Sequence, residues 1–524
     1  MSNRVYIYDS TLRDGAQARG IDFTVADKQA IARELDAFGI DYIEGGWPGA
    51  NPTDDAFFAD LPKVKKAKIT AFGMTRRAGR SAENDPGLQA VLGADVGAVC
   101  LVGKAWDVQI KSALKVSKDE NVRMIVESIR CAVKKKLEVA FDAEHFFDGF
   151  KSNPDYAVAV CKAAYDAGAR WVVLCDTNGG SLPEHISAAV AAVVKLVPGT
   201  HLGVHCHNDT DHGVANSIAA VVAGVRQVQG TVNGIGERCG NANLMSIIPT
   251  LMLKMGFTTG VSVEKLKRIT HVSRFVDDRL NRPSNKHAPY VGASAFAHKG
   301  GLHVSAMSKD STSYEHILPE QVGNERIILV SDKAGKANIL ARLAQLGIVV
   351  DAEDERVNAL VREVKEREAL GYAYEDAEAS FELLARRILA TVPEFYRLDS
   401  FRVLDERQVS GKGKTTTLSE ATVKLTVDGK KRMTVAEGNG PVNALDAAIR
   451  KALIPKYKQL KSMHLADYKV RILTPQEATA ALTRVMIESR DDKGRSWTTI
   501  GVSHNVIDAS YDALEDAICY LLAR

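Results

Sequence analysis

Arg13 and Asp14, which follow a short apolar strand pattern near the start of the chain, are the first residues that could do chemistry. Much later, His205 and His207 lie at the end of a second strand pattern. Alternate residues of a strand point to the same face, so the two imidazoles are predicted to lie side by side. Two imidazoles and one carboxylate leave open positions on a cation, as a catalytic metal requires. We therefore predict a metal site formed by Asp14, His205 and His207.

Interpretations of the same residues that involve no metal stay open at this point. A histidine pair on a strand is by itself more often packing or hydrogen bonding than a ligand pair, and only Asp14 shifts that balance. Glu44 ends another strand pattern; it could be an ordinary strand-end carboxylate, or it could hold Arg13 by a bidentate contact. In the glycine-punctuated stretch 236–241, the glycines fit a plain turn, whereas the amide oxygen of Asn241 could complete the metal sphere.

The composition of the chain limits the classes of protein to which it can belong. The chain has 524 residues, 45% of them apolar and 25% charged, with a net charge of +3, so no basic surface for nucleic acid is expected. Its seven cysteines are scattered without a CxxC pair, and we expect Cys175, Cys206 and Cys239 to be buried fillers in a reducing cytoplasm. No signal peptide and no long apolar run are present, which predicts a protein that is neither secreted nor membrane-spanning.

The first half of the chain alternates strand-like and helix-like patterns. The predicted strands are Val5–Asp9, Asp41–Gly45, Lys68–Phe72, Ala98–Val102, Glu138–Asp142, Trp171–Asp176, Leu202–His207 and Gln227–Val232. The clearest amphipathic helices are Val25–Phe38, Val108–Lys135, Asp155–Ala167, Pro183–Val197 and Gly213–Ala223. Eight such units predict an α/β fold with a closed (β/α)₈ TIM barrel. A doubly wound open sheet is the competing fold, but its glycine-rich first turn is missing.

In a barrel of this type the chemistry lies at the C-terminal ends of the strands. Polar residues gather at those positions in this chain: Arg13, Asp14, Glu44, Asp142, Glu144, Asp176, Thr177, Asn178, His205, His207 and the stretch 233–241. A random distribution of polar residues would not produce this arrangement. It is the strongest indication from the residues themselves that the protein is an enzyme.

The chain is predicted to divide into three parts: a catalytic barrel over residues 1–268, connecting helical subdomains over 269–390 and an α+β regulatory domain over 391–524. The last part contains two sets of three strand patterns, and each set is followed by a helix, Val442–Leu453 and Val506–Leu522. Such a duplicated βββα unit commonly binds a small molecule or pairs subunits.

Three longer motifs suggest a family. The stretches 9–17 (DSTLRDGAQ), 205–209 (HCHND) and 233–241 (NGIGERCGN) resemble those of the metal-dependent, acyl-CoA-condensing barrel family that includes isopropylmalate, homocitrate and citramalate synthases. The stretches 42–49 (YIEGGWPG) with Asn51 and Pro52, and 141–149 (FDAEHFFDG), are similar to the long citramalate-forming branch. The resemblance covers essentially the whole chain, including the duplicated C-terminal unit.

The resemblance implies roles for individual residues. The implied metal ligands are Asp14, His205 and His207, with Asn241 as a weaker fourth, and the implied substrate-binding residues are Arg13, Glu44 and Thr177. The implied catalytic residues are Arg13, Glu144, His303 and Tyr314. Where the family often has an acidic or amide residue soon after the catalytic histidine, this chain has Val304-Ser305-Ala306.

The resemblance also implies an activity. It is the condensation of acetyl-CoA with pyruvate and water to give (R)-citramalate and free CoA for isoleucine biosynthesis, assisted by a divalent cation, Mg²⁺ or Mn²⁺ before Zn²⁺ or Co²⁺. His303, poised by Glu144, would remove the methyl proton. A homodimer regulated by isoleucine is implied as well. The alternatives are an isopropylmalate synthase acting on 2-oxoisovalerate, a carbon–carbon lyase on the same barrel and a non-catalytic amino-acid sensor.

Overall fold

A computed structural model describes residues 3–299, 310, 313–328, 335–409 and 415–524. The chain forms two compact units. The first contains Met1–Phe296 and His316–Glu325, and the second contains Ala297–Glu315 and Arg326–Arg524. The functional division at residues 268 and 390 stays a prediction.

The first unit is built on a closed barrel of eight parallel strands in which β1 pairs with both β2 and β8. The strands are β1 (Tyr6–Asp9), β2 (Tyr42–Gly46), β3 (Lys68–Met74), β4 (Ala98–Lys104), β5 (Glu138–Glu144), β6 (Trp171–Asp176), β7 (Leu202–Cys206) and β8 (Gln227–Gly230). The predicted TIM barrel is confirmed, and each predicted strand lies at its expected place.

Helices surround the barrel and pack their apolar faces on the strands. They are α1 (Val25–Phe38), α2 (Pro52–Ala59), α3 (Pro86–Leu92), α4 (Asp107–Gln109), α5 (Lys118–Lys134), α6 (Phe146–Ser152), α7 (Pro154–Asp166), α8 (Pro183–Val193), α9 (Gly213–Ala223), α10 (Leu244–Pro249), α11 (Val263–Leu266) and α12 (Ile269–Arg279). The bounds of α1 follow from its ends, since Thr24 and Asp27 form a capping box and Gly39 ends the helix in the left-handed conformation.

One predicted helix is wrong in its extent. The stretch predicted as Val108–Lys135 is divided into α4, a π-helical turn at Ile110–Leu114 and α5. Lys115 has a φ of 56°, which breaks the helix, and Ser117 starts α5 by accepting a hydrogen bond from the backbone N–H of Glu120. The apolar periodicity continues across this break, which explains the overestimate.

Aromatic side chains fill the inside of the barrel. Tyr8, Tyr42 and Trp171 are buried there, and the Trp171 indole donates to the Tyr42 hydroxyl at 3.1 Å. The Tyr42 hydroxyl in turn donates to Glu138 at 2.6 Å. This packed layer closes the interior, so a ligand is confined to the C-terminal mouth of the barrel.

The second unit contains the predicted duplication, which the structure confirms. Two three-stranded antiparallel sheets are each followed by a helix. The described elements are β9 (Ala297–His298), β10 (Ile327–Ile328), α13 (Lys336–Gln345), α14 (Glu355–Ala369), α15 (Glu378–Ile388), β11 (Arg397–Val409), β12 (Thr415–Val427), β13 (Lys430–Gly438), α16 (Pro441–Leu453), β14 (Met463–Ile472), β15 (Thr483–Asp491), β16 (Ser496–Ser503) and α17 (Val506–Leu522). None of the helices in the described ranges is long and apolar enough to cross a membrane.

Candidate metal centre and active site

Three potential ligands converge at the C-terminal mouth of the barrel. The ligand atoms of Asp14, His205 and His207 all lie within 4.8 Å of one another, and all three residues are buried. His205 Nε2 lies 3.4 Å from His207 Nε2 and 3.6 Å from Asp14 Oδ2. Within the described residues this is the one cluster of His, Cys, Asp and Glu side chains with this convergence. The predicted ligand set therefore has the geometry of a cation site.

The orientation of His205 is set by its partner on the neighbouring strand. His205 Nδ1 lies 2.9 Å from Gln229 Oε1, and an amide oxygen accepts only, so Nδ1 carries the proton. Nε2 therefore presents its lone pair to the other two ligands. Gln229 itself is held because its Nε2 donates to Asp142 at 3.1 Å. We did not predict Gln229 from sequence, although β8 lies next to β7 in any closed barrel.

Asn241 lies beside the cluster. Its Nδ2 donates to Asp14 Oδ1 at 3.0 Å, and its buried Oδ1 has no hydrogen-bond partner in the described part of the chain. Gly236 makes this position possible, because a Cβ there would lie 2.2 Å from Asn241 Nδ2. The glycine is thus needed for close packing, and the orphaned amide oxygen fits a fourth ligand.

Electrostatics keep the cluster in its ligating form. Burial opposes the charge of Asp14, but Arg13 and the two histidines outweigh it and hold the pKa of Asp14 well below its usual range. Burial, together with the neighbouring His205, lowers the pKa of His207 to about 4. Asp14 is therefore ionised and His207 neutral near neutral pH, which are the states that bind a cation.

Arg13 lies between two carboxylates. Its Nε donates to Glu44 Oε2 at 2.7 Å, its Nη1 donates to Asp14 Oδ2 at 3.0 Å, and its guanidinium stacks 3.9 Å from the Phe72 ring centroid. The predicted bidentate contact with Glu44 is wrong, because the Tyr8 hydroxyl occupies the other carboxylate oxygen at 2.8 Å. Arg13 Nη2 makes no hydrogen bond with the described residues, so it remains available to a ligand.

A cavity of about 280 Å³ opens over these groups. Its polar lining includes Glu144 and Thr177, both predicted from sequence, and its apolar wall consists of Trp47, Phe72, Met74, Val102 and Cys175. Lys104 also lines the cavity and forms an ion pair with Glu144, its register partner on the adjacent strand. Sequence reasoning missed Lys104, although its place at the C-terminal end of β4 is the same signal that identified the other residues.

The second and third motifs are joined by an ion pair. Arg238 donates to both carboxylate oxygens of Asp209, at 2.8 and 2.9 Å, and to the backbone oxygen of Thr177 at 2.8 Å. Asp209 and Arg238 therefore link the loop after β7 to the loop after β8. The prediction that Cys239 is a buried filler is wrong, because this residue is exposed, whereas Cys175 and Cys206 are buried. Burial raises the pKa of both buried thiols well above the usual value, which makes them poor nucleophiles.

The other two implied catalytic residues are not among the described residues of the barrel unit. His303 lies outside the described residues. Tyr314 belongs to the second compact unit, and 48% of its surface is exposed. All the other predicted site residues lie together in the barrel unit: Arg13, Asp14, Glu44, Glu144, Thr177, His205, His207 and Asn241.

Sequence comparison places the chain among relatives of its own length. It is 49% identical to the (R)-citramalate synthase of Aquifex aeolicus over 526 residues, which cover 100% of this chain and 99% of that protein. It is 50% identical to the (R)-citramalate synthase of Geobacter sulfurreducens, over 99% of this chain and 98% of that protein. The chain belongs to the (R)-citramalate synthase family. Membership of this family makes the protein an enzyme of the transferase class rather than a non-catalytic sensor.

Models of three protein families match successive parts of this chain. An HMGL-like model matches residues 4–276, a homocitrate synthase post-HMGL domain-like model matches 290–370, and a LeuA allosteric (dimerisation) domain model matches 375–522. A "Probable 2-isopropylmalate synthase" of Methanopyrus kandleri is 34% identical over 100% of this chain and 99% of that protein. The isopropylmalate alternative is thus the more distant of the two.

Proposed function

We propose that this protein condenses acetyl-CoA with pyruvate and water to give (R)-citramalate and free CoA, the entry to isoleucine synthesis from pyruvate. The full-length likeness to proteins named (R)-citramalate synthase supports the reaction. The buried ligand cluster of Asp14, His205 and His207 beside Arg13 is the single observation that carries the proposal, because a 2-oxo acid needs both a cation and a guanidinium. We further propose that the enzyme works in the cytoplasm, where its seven free cysteines are stable.

The residues present fit a divalent cation. Asp14, His205 and His207 would hold it, and the orphaned Asn241 Oδ1 would complete the set. This mixture of imidazole and oxygen ligands is compatible with Mg²⁺ or Mn²⁺, and also with Zn²⁺ or Co²⁺. When bound, the cation would act as a Lewis acid that polarises the ketone of the 2-oxo acid.

Arg13 and Thr177 bind the oxo acid in this proposal. Arg13 is fixed on one side by Glu44 and on the other by Asp14, so its free Nη2 edge is directed by two hydrogen bonds rather than by a flexible side chain. A guanidinium held in this way suits a carboxylate or the developing alkoxide. Thr177 lines the same cavity, and its hydroxyl accepts from the backbone N–H of His145 at 2.8 Å, which directs the hydroxyl proton elsewhere.

The methyl group of acetyl-CoA must lose a proton before it can attack the ketone carbon. We propose His303 as the base, with Glu144 and Tyr314 assisting. Glu144 lines the cavity and is held in place by its ion pair with Lys104. The new carbon–carbon bond forms at the ketone carbon, the ketone oxygen takes up a proton, and water then cleaves the thioester to release CoA.

Pyruvate as the preferred oxo acid is supported by the cavity as well as by the relatives. The wall over Arg13 is formed by Phe72, Trp47 and Met74, and the Trp47 and Phe72 rings pack edge to face at 5.5 Å. These large side chains border a cavity of about 280 Å³ beside Arg13. A methyl ketone presents less bulk to these side chains than a branched one.

Regulation by isoleucine and assembly as a homodimer belong to the same proposal. The allosteric (dimerisation) domain model over residues 375–522 supports a role of this kind for the C-terminal unit. The opening of α16 at Gly440 has no side-chain cap and leaves N–H groups for a ligand carboxylate. The opening of α17 is less available than we predicted, because Asn505 accepts from the N–H of Ile507 at 2.8 Å.

Release of free CoA from acetyl-CoA, measured across a panel of 2-oxo acids, tests the function. We expect the highest kcat/KM with pyruvate, and inhibition by isoleucine that is lost when residues 398–524 are deleted. A higher kcat/KM with 2-oxoisovalerate would replace the proposal by an isopropylmalate synthase.

His303→Ala should slow exchange of the acetyl-CoA methyl protons with solvent while metal binding persists, and unchanged exchange would assign His303 to binding alone.

A further inference from the structure

Trp47 borders two cavities at the mouth of the barrel. The first is the cavity of about 280 Å³ over Arg13, and the second has a volume of about 360 Å³. The Trp47 ring packs on Phe72, whose ring centroid lies 3.9 Å from the guanidinium carbon of Arg13. The residues that line both cavities are Trp47, Met74, Val102 and Lys104. Trp47 is the largest of these, so a smaller side chain at its position would open the first cavity towards the second.

The strand that precedes Trp47 ends irregularly. The pairing of β2 with β3 shifts between Glu44 and Gly46, so Gly45 is an extra residue in β2. Gly46 has a φ of 144°, which other residues rarely adopt, and a Cβ there would lie 2.5 Å from Asp54 Cγ. Such a bulge re-aims a neighbouring side chain and interrupts the ladder of hydrogen bonds. The direction of Trp47 therefore depends on contacts outside the sheet.

A buried ion pair supplies those contacts. Lys28 of α1 pairs with Asp54 of α2, and the two residues are 3% and 7% exposed. Lys28 Nζ also donates to the backbone oxygen of Gly45 at 3.0 Å. Asp54 Oδ2 accepts from the backbone N–H of Trp47 at 2.9 Å. The pair thus holds the backbone on both sides of Gly46.

The stability of the fold does not by itself account for a charged pair at this place. Taking two charges out of water is costly, and apolar side chains of similar volume often stabilise a fold equally well. Such side chains, however, could neither donate to Gly45 nor accept from Trp47. Asp54 Oδ2 also accepts from Asn51 Nδ2 at 2.9 Å, so the segment between β2 and α2 is tied to the same carboxylate. The two charges are therefore used to fix the backbone that carries the cavity wall.

We propose that Trp47 limits the size of the oxo acid that the site accepts, and that Lys28 and Asp54 are its positioning residues. This inference rests on the proposed function, because it concerns the oxo acid bound beside Arg13. Each carbon added to the methyl group of pyruvate has to be accommodated against the wall to which Trp47 contributes. An indole held in place excludes the added carbons, whereas a loosened indole would yield towards the second cavity and admit them.

Substrate preference tests the role of Trp47. The quantity measured is kcat/KM for 2-oxobutanoate divided by kcat/KM for pyruvate, at one concentration of acetyl-CoA, so that altered binding of acetyl-CoA affects both values alike. Trp47→Leu should raise this ratio by about 10-fold, since one methylene group in an apolar pocket is worth about 10-fold or more in discrimination. An unchanged ratio in Trp47→Leu would overturn the specificity role.

The ion pair is tested by removing both charges together. The double variant Lys28→Met/Asp54→Asn leaves no unpaired buried charge, and it should raise the ratio by about 3-fold, less than Trp47→Leu does. Adding Trp47→Leu to it should give the ratio of Trp47→Leu alone, because residues that act through the indole have no effect once it is absent. Effects that multiply in the triple variant would overturn the positioning role.

Glu34→Gln is the matched control. Glu34 lies on α1, as Lys28 does, but it pairs with Arg268 at 2.6 Å and does not line either cavity. This variant should leave the ratio unchanged, since it breaks an ion pair of the same helix without loosening Trp47. A rise equal to that of the double variant would show that any damage to α1 has this effect, and would overturn the positioning role.

A measurement without turnover separates this inference from the proposed function. Trp47 is one of four tryptophans, so its fluorescence is obtained as the difference between the protein and Trp47→Phe. Acrylamide should quench this contribution more strongly in Lys28→Met/Asp54→Asn than in the unaltered protein. Unchanged quenching would overturn the positioning role even in an inactive protein. Absence of CoA release with both oxo acids would instead overturn the proposed function, and the specificity role with it.

Discussion

Gln229→Leu should damage the metal centre without touching a ligand. The substitution removes the acceptor for His205 Nδ1 and the donor to Asp142, both inside the barrel, while keeping a side chain of similar size. Loss of such an orienting partner typically weakens metal binding by about 10–100-fold. That factor corresponds to about 1.4–2.7 kcal/mol of binding free energy. Titration of metal-free protein with Mn²⁺, followed by heat or by CoA release, measures the change directly.

The same strand offers a matched control. Gln227 lies two residues before Gln229 on β8, is equally buried, and its side-chain amide has no hydrogen-bond partner among the described residues. Gln227→Leu should therefore leave Mn²⁺ affinity unchanged and lower stability little, because no hydrogen bond is broken. The reasoning is refuted if Gln229→Leu binds Mn²⁺ as tightly as the unaltered protein, or if both variants lose affinity equally.

Further expectations concern single positions. Asp14→Asn should abolish metal-dependent CoA release while the unfolding midpoint changes little; near-normal turnover at saturating metal would contradict its role. Gly236→Ala should displace Asn241, whose Nδ2 lies 2.2 Å from the position of the new Cβ, and weaken Mn²⁺ binding in the same titration. Lys104→Met should lower kcat more than metal affinity, since Lys104 pairs with a cavity carboxylate and not with a ligand; Lys104→Arg should restore part of the loss. Burial raises the pKa of Glu515 to about 7, so the folded chain binds a proton more tightly than the unfolded chain, and stability is lost as the pH rises from 4.5 through about 7. The melting temperature of the Glu515→Gln variant minus that of the unaltered protein should therefore increase over that pH range. A difference that stays constant with pH would contradict the raised pKa of Glu515.

Local signals made much of the fold predictable. Helix α1 has the predicted bounds because its capping box at Thr24 and its terminal Gly39 are short-range features of the sequence. Strand-end polar residues were recognised for the same reason. The break at Lys115 was missed, because the apolar periodicity continues through it and one left-handed residue leaves no trace in the pattern.

Partner choice across strands was much less predictable. Glu44 was expected to hold Arg13 with both oxygens, yet Tyr8 takes one of them, and nothing in the spacing of these residues shows which donor is nearer. The pair of Lys104 and Glu144 depends on the register between β4 and β5, and the sequence alone does not supply that register. The ligand residues could thus be predicted from the sequence, whereas the residues that orient them were identified only from the structure.

One measurement tests the central claim most directly. The protein is stripped of metal, reconstituted with Mn²⁺, and assayed for bound metal per chain and for CoA release with acetyl-CoA and pyruvate. We predict one cation per chain at the Asp14, His205 and His207 site, and CoA release that requires both the cation and pyruvate. Undiminished CoA release from metal-free protein, or tight binding of the cation in an Asp14→Asn/His207→Ala double variant, would contradict the account.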